Sequence, residues 1–246
     1  ANLPHHRADR IGDAGNLGNG GNRPQHLGDG GIIDRGRRAE ADKRPVERFV
    51  ATRMLLTLPR LLKYTKVRQS LAGTDFGSGE AIARETLARL SGEAAAQAKW
   101  QRWIVERYEP LVLRAVGQVG RAQAGAVGLL ERLRAAGLRL GMVSDYRGAD
   151  ERLRAIGIDP SLFHFRLVTE ELGAMKPAAR IAGLTIAGMG LPGSRMVMVG
   201  DRAFADQRFA EACSMAFLGV LAGGEPEGPA WLPWPQVHAR LAALAR

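Results

Sequence analysis

The sequence lacks the features that mark disulfide-stapled, zinc-binding and membrane-spanning proteins. Its only cysteine, Cys213, excludes an intramolecular disulfide and offers no cluster of thiolates for zinc. Charged residues interrupt the apolar runs well before the roughly 20 residues that a membrane-spanning helix needs. No stretch has the pattern of a signal peptide. We therefore expect a cytoplasmic protein without membrane contact.

The chain also lacks the clustered basic and aromatic residues that usually bind nucleic acid, although its net charge is strongly positive. Lys and Arg outnumber Asp and Glu by 35 to 25, which gives a net charge of +10. Such an excess suits an anionic ligand or a weak association with nucleic acid. However, the basic residues are spread over many segments and do not alternate with aromatic residues. A solvated arginine-rich surface explains them more simply, and nucleic acid is the less favoured partner.

The first 45 residues differ from the rest in composition. Gly, Asn, Asp, Arg and His dominate them, and Ile32-Ile33 is their only apolar pair. They show no period of 2 or 3.6, and they contain too little apolar surface to offset the entropy lost on ordering. The sequence therefore predicts a disordered segment over residues 1–45.

The next segment, residues 46–118, has a helical pattern. Apolar residues recur at spacings of three and four, and Pro59 and Pro110 interrupt the pattern. This predicts a small helical domain. Trp100, Trp103 and Tyr108 could line a substrate pocket, but such spacing more often reflects packing in a core, which is the interpretation we favour.

Beyond residue 118 the period changes, and strands alternate with helices. A parallel, doubly wound sheet is typical of this alternation. We predict an α/β core over residues 119–225 and a closing loop and helix over residues 226–246. The predicted strands are 138–143, 163–168, 195–199 and 215–220.

Two aspartates follow the predicted strand 195–199, at the sheet edge where ligands bind in open α/β folds. They are Asp201, directly after Gly200, and Asp206. With no cationic partner nearby in sequence, two carboxylates would repel each other unless a cation neutralised them, and hard oxygen ligands indicate Mg²⁺. The alternative is that Asp201 caps the next helix and Asp206 is a solvated helix residue.

Three short motifs near the predicted strand ends follow one another in an order that identifies a family resemblance. They are Met142-Val-Ser144-Asp145, then Met175-Lys176-Pro177, then Val199-Gly200-Asp201 followed by Asp206. In this order and spacing they resemble the second, third and fourth motifs of the haloacid-dehalogenase-like (HAD) hydrolase superfamily. The resemblance covers about residues 46–225. It implies that the helical domain is the cap that these enzymes insert after their first strand.

The resemblance implies a Mg²⁺-dependent phosphatase for a small phosphorylated substrate, rather than a dehalogenase, which needs no metal. Ser144 would donate a hydrogen bond to a phosphoryl oxygen, and Asp145 belongs to the same substrate-binding motif. Lys176 would neutralise charge on the transferring group. Asp201 would ligate Mg²⁺, and Asp206 would support the metal directly or through water.

The first motif of the family, an apolar strand that ends in Asp-x-Asp, is missing. Its first aspartate is the nucleophile that forms an aspartyl-phosphate. The nearest match, Asp34 in Gly31-Ile-Ile-Asp34-Arg-Gly36, lacks the second aspartate and a proper strand. The family places this strand between the predicted strands 138–143 and 195–199. Without it the sheet has a gap there, or those two strands pair directly.

Three hypotheses follow from the missing motif. In the first, the opening 45 residues come from another reading frame or a wrong start, fused to a true hydrolase. In the second, the chain is a non-catalytic relative that binds phosphate or a phosphorylated ligand through Ser144, Lys176 and Mg²⁺ at Asp201. In the third, the chain associates with nucleic acid through its positive charge. We rank them in this order and expect little or no phosphatase turnover.

Overall fold

The computed structural model describes residues 44–221 and 228–245. Residues 1–43, which make up nearly all of the segment predicted to be disordered, lie outside this range. Part of the loop predicted after residue 221 also lies outside it.

Helices joined by short turns form the described chain from residue 44 to residue 119, as the apolar spacing predicted. Ser78 caps the third helix, because its hydroxyl oxygen accepts the amide of Ala81 at 3.2 Å. Pro59 and Pro110 lie in first helical turns, where a missing N–H costs nothing. The helices are α1 (Arg44–Arg53), α2 (Leu58–Ser70), α3 (Gly79–Leu90), α4 (Ala94–Trp103) and α5 (Glu109–Val119).

The aromatic residues of this helical segment pack against each other. Trp103 is 6% exposed and lies at the centre of a cluster with Val50, Met54 and Tyr64. Its ring contacts Trp100, Tyr64 and Tyr108, with centroids 5.5 to 6.1 Å apart. The packing interpretation of these aromatics is therefore confirmed.

Strands and helices alternate from residue 126 onward, which confirms the predicted α/β class. The elements are α6 (Ala126–Ala135), β1 (Gly141–Ser144), α7 (Ala149–Ala155), β2 (Phe165–Val168), α8 (Ala179–Met189), β3 (Val197–Gly200), α9 (Arg208–Ala212), β4 (Ala216–Val220), β5 (Trp231–Leu232) and α10 (Trp234–Ala243). The sequence did not predict β5, because two residues are too short to show a period. None of the helices in the described ranges is both long and apolar enough to cross a bilayer.

All described strands run parallel, but they form two sheets. One contains β1 and β2, with Gly141 opposite Phe165, and the other has the order β3-β4-β5, with Val197 opposite Ala216. Within the described ranges β1 and β3 therefore each pair on one side only. This is the gap that the absence of a first strand predicted.

The hydrogen bonds of the two ladders show which backbone groups face the gap. The amide of Ala216 donates to the carbonyl of Met196 at 3.1 Å, and that of Thr169 donates to the carbonyl of Ser144 at 2.8 Å. Successive strand residues turn their polar groups to opposite sides. The amides and carbonyls of Val143, Val197 and Val199 therefore point into the gap.

Two hydrophobic clusters cover the two faces of the sheets and join them. On one face α8 and α9 bury Ile181 and Phe209 against Val143 of β1 and Met198 of β3. On the other face α6 and α10 pack on residues from both sides of the gap, including Leu140 and Val199. Side-chain packing thus holds β1 and β3 at a common edge, with their carboxyl ends on the same side.

Candidate functional site

A cavity of about 410 Å³ opens where β1 and β3 end. One wall is formed by Met142–Asp145 and the other by Met198–Arg202, with Lys176 and Asp206 between them. The structure therefore brings together all five residues that the sequence singled out, from segments far apart in the chain. The cavity is lined by residues of both strands, so it includes the space between them.

Lys176 lies at the centre of the polar end. It is only 4% exposed, and its ammonium group donates to Asp206 Oδ1 at 2.6 Å and to the carbonyl of Val143 at 3.1 Å. The lysine thus bridges the gap between β1 and the segment after β3. It also satisfies one of the backbone carbonyls that would otherwise face the gap unpaired.

The loop that carries Lys176 is held by the turn between α2 and α3. The amide of Gly73 donates to the carbonyl of Lys176 at 3.0 Å, and the amide of Met175 donates to the carbonyl of Thr74 at 3.1 Å. Gly173 packs against this turn with a φ of +76°, and a Cβ there would lie 2.0 Å from the carbonyl oxygen of Ser78. Only glycine allows this approach.

Asp206 is buried and fixes its neighbours by the hydrogen bonds that it accepts. It is 4% exposed, and besides Lys176 it accepts the amides of Asp201 and Arg202 on Oδ2, at 3.0 and 3.2 Å. Gly200 makes room for it, since a Cβ on Gly200 would lie 2.3 Å from the Cβ of Asp206. The alternative of a solvated helix residue is therefore wrong for Asp206.

Asp145 is the most enclosed of the predicted site residues, at 2% exposure. Its Oδ1 accepts the hydroxyl of Thr169 at 2.8 Å and the amide of Lys176 at 3.1 Å, and its Oδ2 accepts Arg202 at 3.2 Å. These contacts indicate that Asp145 positions the Lys176 loop and Arg202, since both of its carboxylate oxygens accept hydrogen bonds from protein groups.

Ser144 and Asp201 lie at the two strand ends and are partly exposed. The Ser144 hydroxyl accepts the amide of Tyr146 at 3.2 Å and lies 3.3 Å from the carbonyl of Tyr146, to which it can donate. Asp201 donates its amide to Asp206 Oδ2 and takes part in a further interaction. Both residues line the cavity.

Sequence reasoning missed Thr169, Tyr146 and Arg202. Arg202 lies beside Asp201 in the chain, and Tyr146 follows Ser144-Asp145, so both were adjacent to recognised motifs. Arg202 belongs to the site because it donates a hydrogen bond to Asp145, which is 57 residues away in sequence. No local pattern signals such a contact.

The described residues do not gather the ligands of a typical metal centre. No three His, Cys, Asp or Glu side chains in residues 44–221 and 228–245 lie close enough to hold one ion. Both oxygens of Asp206 already accept hydrogen bonds, and Lys176 occupies Oδ1 at 2.6 Å. A cation at this carboxylate would have to displace the ammonium group.

Comparison with known proteins gives a family and a fold. A family model described as haloacid dehalogenase-like hydrolase matches residues 33–213. The 2-haloacid dehalogenase from Pseudomonas syringae pv. Tomato DC3000 has a similar structure, with a TM-score of 0.50 and 20% sequence identity, over 80% of this chain and 90% of that one. A HAD phosphatase from Thermococcus onnurineus has a TM-score of 0.43 and 22% identity, over 60% and 80% of the two chains. The search of curated protein sequences found no match.

Proposed function

Because the chain belongs to the haloacid dehalogenase-like hydrolase family, we propose that its described part binds a small phosphorylated ligand where β1 and β3 end. The main support is the position of Lys176. Its ammonium group has three N–H donors. Two of them donate to Val143 and Asp206. The third donates to none of the described residues, so it can bind an anion in the cavity.

Two neighbours of Lys176 support the same ligand chemistry. The Ser144 hydroxyl can exchange its long contact with Tyr146 for a hydrogen bond to a phosphoryl oxygen. The guanidinium of Arg202 lines the cavity, and its side chain is 41% exposed. Fixed donors in a site with little water attract an anion more strongly than the same groups on an open surface.

We propose that the described residues bind the phosphorylated ligand but do not hydrolyse it. Hydrolysis through an aspartyl-phosphate needs a carboxylate that can attack phosphorus. Asp145 and Asp206 are almost fully buried, and their oxygens accept hydrogen bonds from protein groups. Neither carboxylate is placed as a nucleophile. Asp34, the nearest match to the family's first motif, lies outside the described residues.

Turnover as a phosphatase is the second candidate function, and membership of a hydrolase family favours it. It requires a nucleophile from the part of the chain before Arg44. In that case Lys176 would neutralise charge on the transferring phosphoryl group, as the family resemblance implies.

The resemblance also implies Mg²⁺ at Asp201 and Asp206. As arranged, the described residues do not fit this ion, because Lys176 and two backbone amides already occupy the carboxylate of Asp206. We therefore assign no step to a metal. The proposed ligand binding depends on Lys176 and Ser144 and should be measurable in the presence of a chelator.

We further propose that the helical segment 46–118 acts as a cap over this site. Its support is direct contact with site residues. Arg68 of α2 lies 3.0 Å from Glu170 and 3.4 Å from the carbonyl oxygen of Asp145, and Gly73 holds the carbonyl of Lys176. The cap would shape the ligand that the cavity accepts.

The test is calorimetric titration of the full chain with inorganic phosphate in the presence of a chelator. We expect saturable binding that Ser144→Ala weakens about tenfold, by the loss of one hydrogen bond to a charged group. Lys176→Ala should abolish binding, and Lys66→Ala, which removes the same charge from an exposed part of α2, should leave it unchanged. A folded wild-type sample that binds no phosphate contradicts the proposal.

The same samples distinguish the second candidate. They are assayed for release of p-nitrophenol from its phosphate ester, with and without Mg²⁺. We expect no release above the Lys176→Ala background. Metal-dependent turnover that Lys176→Ala abolishes would establish the phosphatase instead.

A further inference from the structure

Tyr146 lies at the rim of the cavity, with two arginines against its ring. The guanidinium carbon of Arg152 is 5.2 Å from the ring centre, and that of Arg202 is 5.7 Å from it. The ring is 43% exposed, and its hydroxyl is 3.5 Å from Nη1 of Arg202. Neither the family motifs nor the proposed phosphoryl site uses Arg152 or Tyr146.

The two arginines differ in how their charge is balanced. Asp145 neutralises Arg202 at 3.2 Å. Arg152 forms no ion pair within residues 44–221 and 228–245, although Arg147, close to it in sequence, pairs with Glu170. Arg152 is therefore a partly buried cation that lies over the Tyr146 ring without an ion pair to any described residue.

The acidic groups around Arg152 do not supply its missing partner. Glu109 at the start of α5 is close enough to interact electrostatically with Arg152 but is not within ion-pair distance. Its burial, and then the charge of Glu170, raise the pKa of Glu109. Asp145 and Glu170 are already paired with other arginines.

The two guanidinium groups lie near the same aromatic ring, so an anion that contacts either of them is attracted by the positive charge of both. Each guanidinium can donate several hydrogen bonds to an anionic group, and the Tyr146 hydroxyl adds another donor. Cation–π contacts with the ring hold the arginine side chains in place, so less side-chain entropy is lost when an anion binds. The geometry therefore suits a carboxylate or a second phosphate at the rim.

We propose that Arg152, Tyr146 and Arg202 form a second anion subsite that selects ligands with an anionic group in addition to the phosphoryl group. This inference rests on the proposed function, since the phosphoryl group would occupy the Lys176 end of the same cavity. Arg152 is then a specificity-determining residue, and the substrate class is a small molecule with two anionic ends.

The test compares two ligands that cannot be hydrolysed. Methylphosphonate has one anionic group, and phosphonoacetate adds a carboxylate. Calorimetry with the full chain should show that phosphonoacetate binds about tenfold more tightly, the amount expected for one charge-assisted hydrogen bond. Arg152→Gln should bring the ratio of the two affinities close to one. Tyr146→Phe should reduce the ratio while it preserves the ring.

The matched control is Arg154→Gln, on the same helix. Arg154 is exposed and lies 4.0 Å from Asp150, so this variant removes the same charge from α7 away from Tyr146. It should keep the preference for phosphonoacetate. An equal loss of preference in both variants would show a general effect of net charge and would overturn the subsite.

Two outcomes separate this inference from the proposed function. A wild-type chain that binds methylphosphonate but shows no preference for phosphonoacetate overturns the second subsite alone. A folded chain that binds neither ligand overturns the proposed function and the subsite together.

Discussion

Lys176 and Asp206 form an ion pair inside the protein, with Nζ 2.6 Å from Oδ1 and side chains that are 5% and 6% exposed. The pair connects the loop before α8 with the segment after β3, across the gap between the two sheets. Because both charges are removed from water, each depends on the other for its compensation.

Removal of one member of this pair should cost far more than removal of both. We expect Lys176→Met or Asp206→Asn to lower the free energy of unfolding by about 3–5 kcal/mol, since each leaves a buried polar or charged group unmatched. The double variant should lose clearly less than the sum of the two single losses. Urea unfolding followed by circular dichroism measures all three values.

The control is the exposed pair of Glu85 and Arg89, which lie 2.7 Å apart on α3. The same cycle there should give a coupling below about 1 kcal/mol, as is usual for solvated pairs. Losses at Lys176 and Asp206 that simply add up would contradict the structural role given to the ion pair.

The same substitution at two glycines of α8 should act in opposite directions. A Cβ on Gly188 would lie 2.1 Å from the Phe165 ring, so Gly188→Ala should destabilise the protein by about 1–3 kcal/mol through overpacking. Gly183 is exposed, with open space around it. Gly183→Ala should therefore stabilise by up to about 1 kcal/mol, because alanine favours the helix. Thermal unfolding gives the melting temperature of each variant. Changes of the same sign in the two melting temperatures would argue against the packing of α8 on β2.

Thr169 should matter through its hydrogen bond alone. Its hydroxyl is fully buried and donates to Asp145 at 2.8 Å. Thr169→Val keeps the shape but removes one of the two hydrogen bonds that Asp145 Oδ1 accepts inside the protein, so we expect a loss of about 1–3 kcal/mol in unfolding free energy. Thr52→Val on the exposed side of α1 should change it by less than about 0.5 kcal/mol. Equal effects at the two sites would mean that Asp145 does not depend on this bond.

Cys213 should make stability fall at alkaline pH. Burial raises the pKa of its thiol from an ordinary value of 9.0 to about 11. As the pH rises, the unfolded chain loses this proton before the folded chain does. The contribution of the group is therefore complete below pH 9 and is lost progressively up to about pH 11.

The measurement is the free energy of unfolding between pH 8 and pH 11 for the wild type and Cys213→Ala. The wild type should fall more steeply across this window, whatever the difference between the two at pH 8. A thiol reagent should also label Cys213 only after unfolding, since the residue is 1% exposed. Parallel pH curves or rapid labelling of the folded chain would contradict the burial of this residue.

The fold class and the place of the site could be predicted from sequence because both depend on local patterns. Apolar spacing revealed the helices of residues 44–119, and short apolar runs before Ser144 and Asp201 revealed two strand ends. In parallel α/β folds such ends meet at one edge. That rule placed Ser144 and Asp201 close together, whereas the place of Lys176 was implied by the family resemblance.

The partners of each side chain could not be predicted, because they come from distant parts of the chain. The sequence suggested repulsion between Asp201 and Asp206 that only a cation would relieve. In the structure Lys176, 30 residues away from Asp206, already supplies that cation. Asp145 was expected to face the substrate, whereas Thr169 and Arg202 enclose it. Such contacts depend on how α8 and β3 pack, and no local period encodes them.

The gap between β1 and β3 also affects how the protein behaves in concentrated solution. Sheets usually protect an unpaired edge with a charge, a proline or a bulge. Gly141–Ser144 and Val197–Gly200 contain no charged residue and no proline. Within residues 44–221 and 228–245 these two edges face each other with no strand between them. A strand from another molecule that entered this space would gain hydrogen bonds on both of its sides, so we expect aggregation of the described part to start there and a peptide strand that fills the space to act as a solubilising additive.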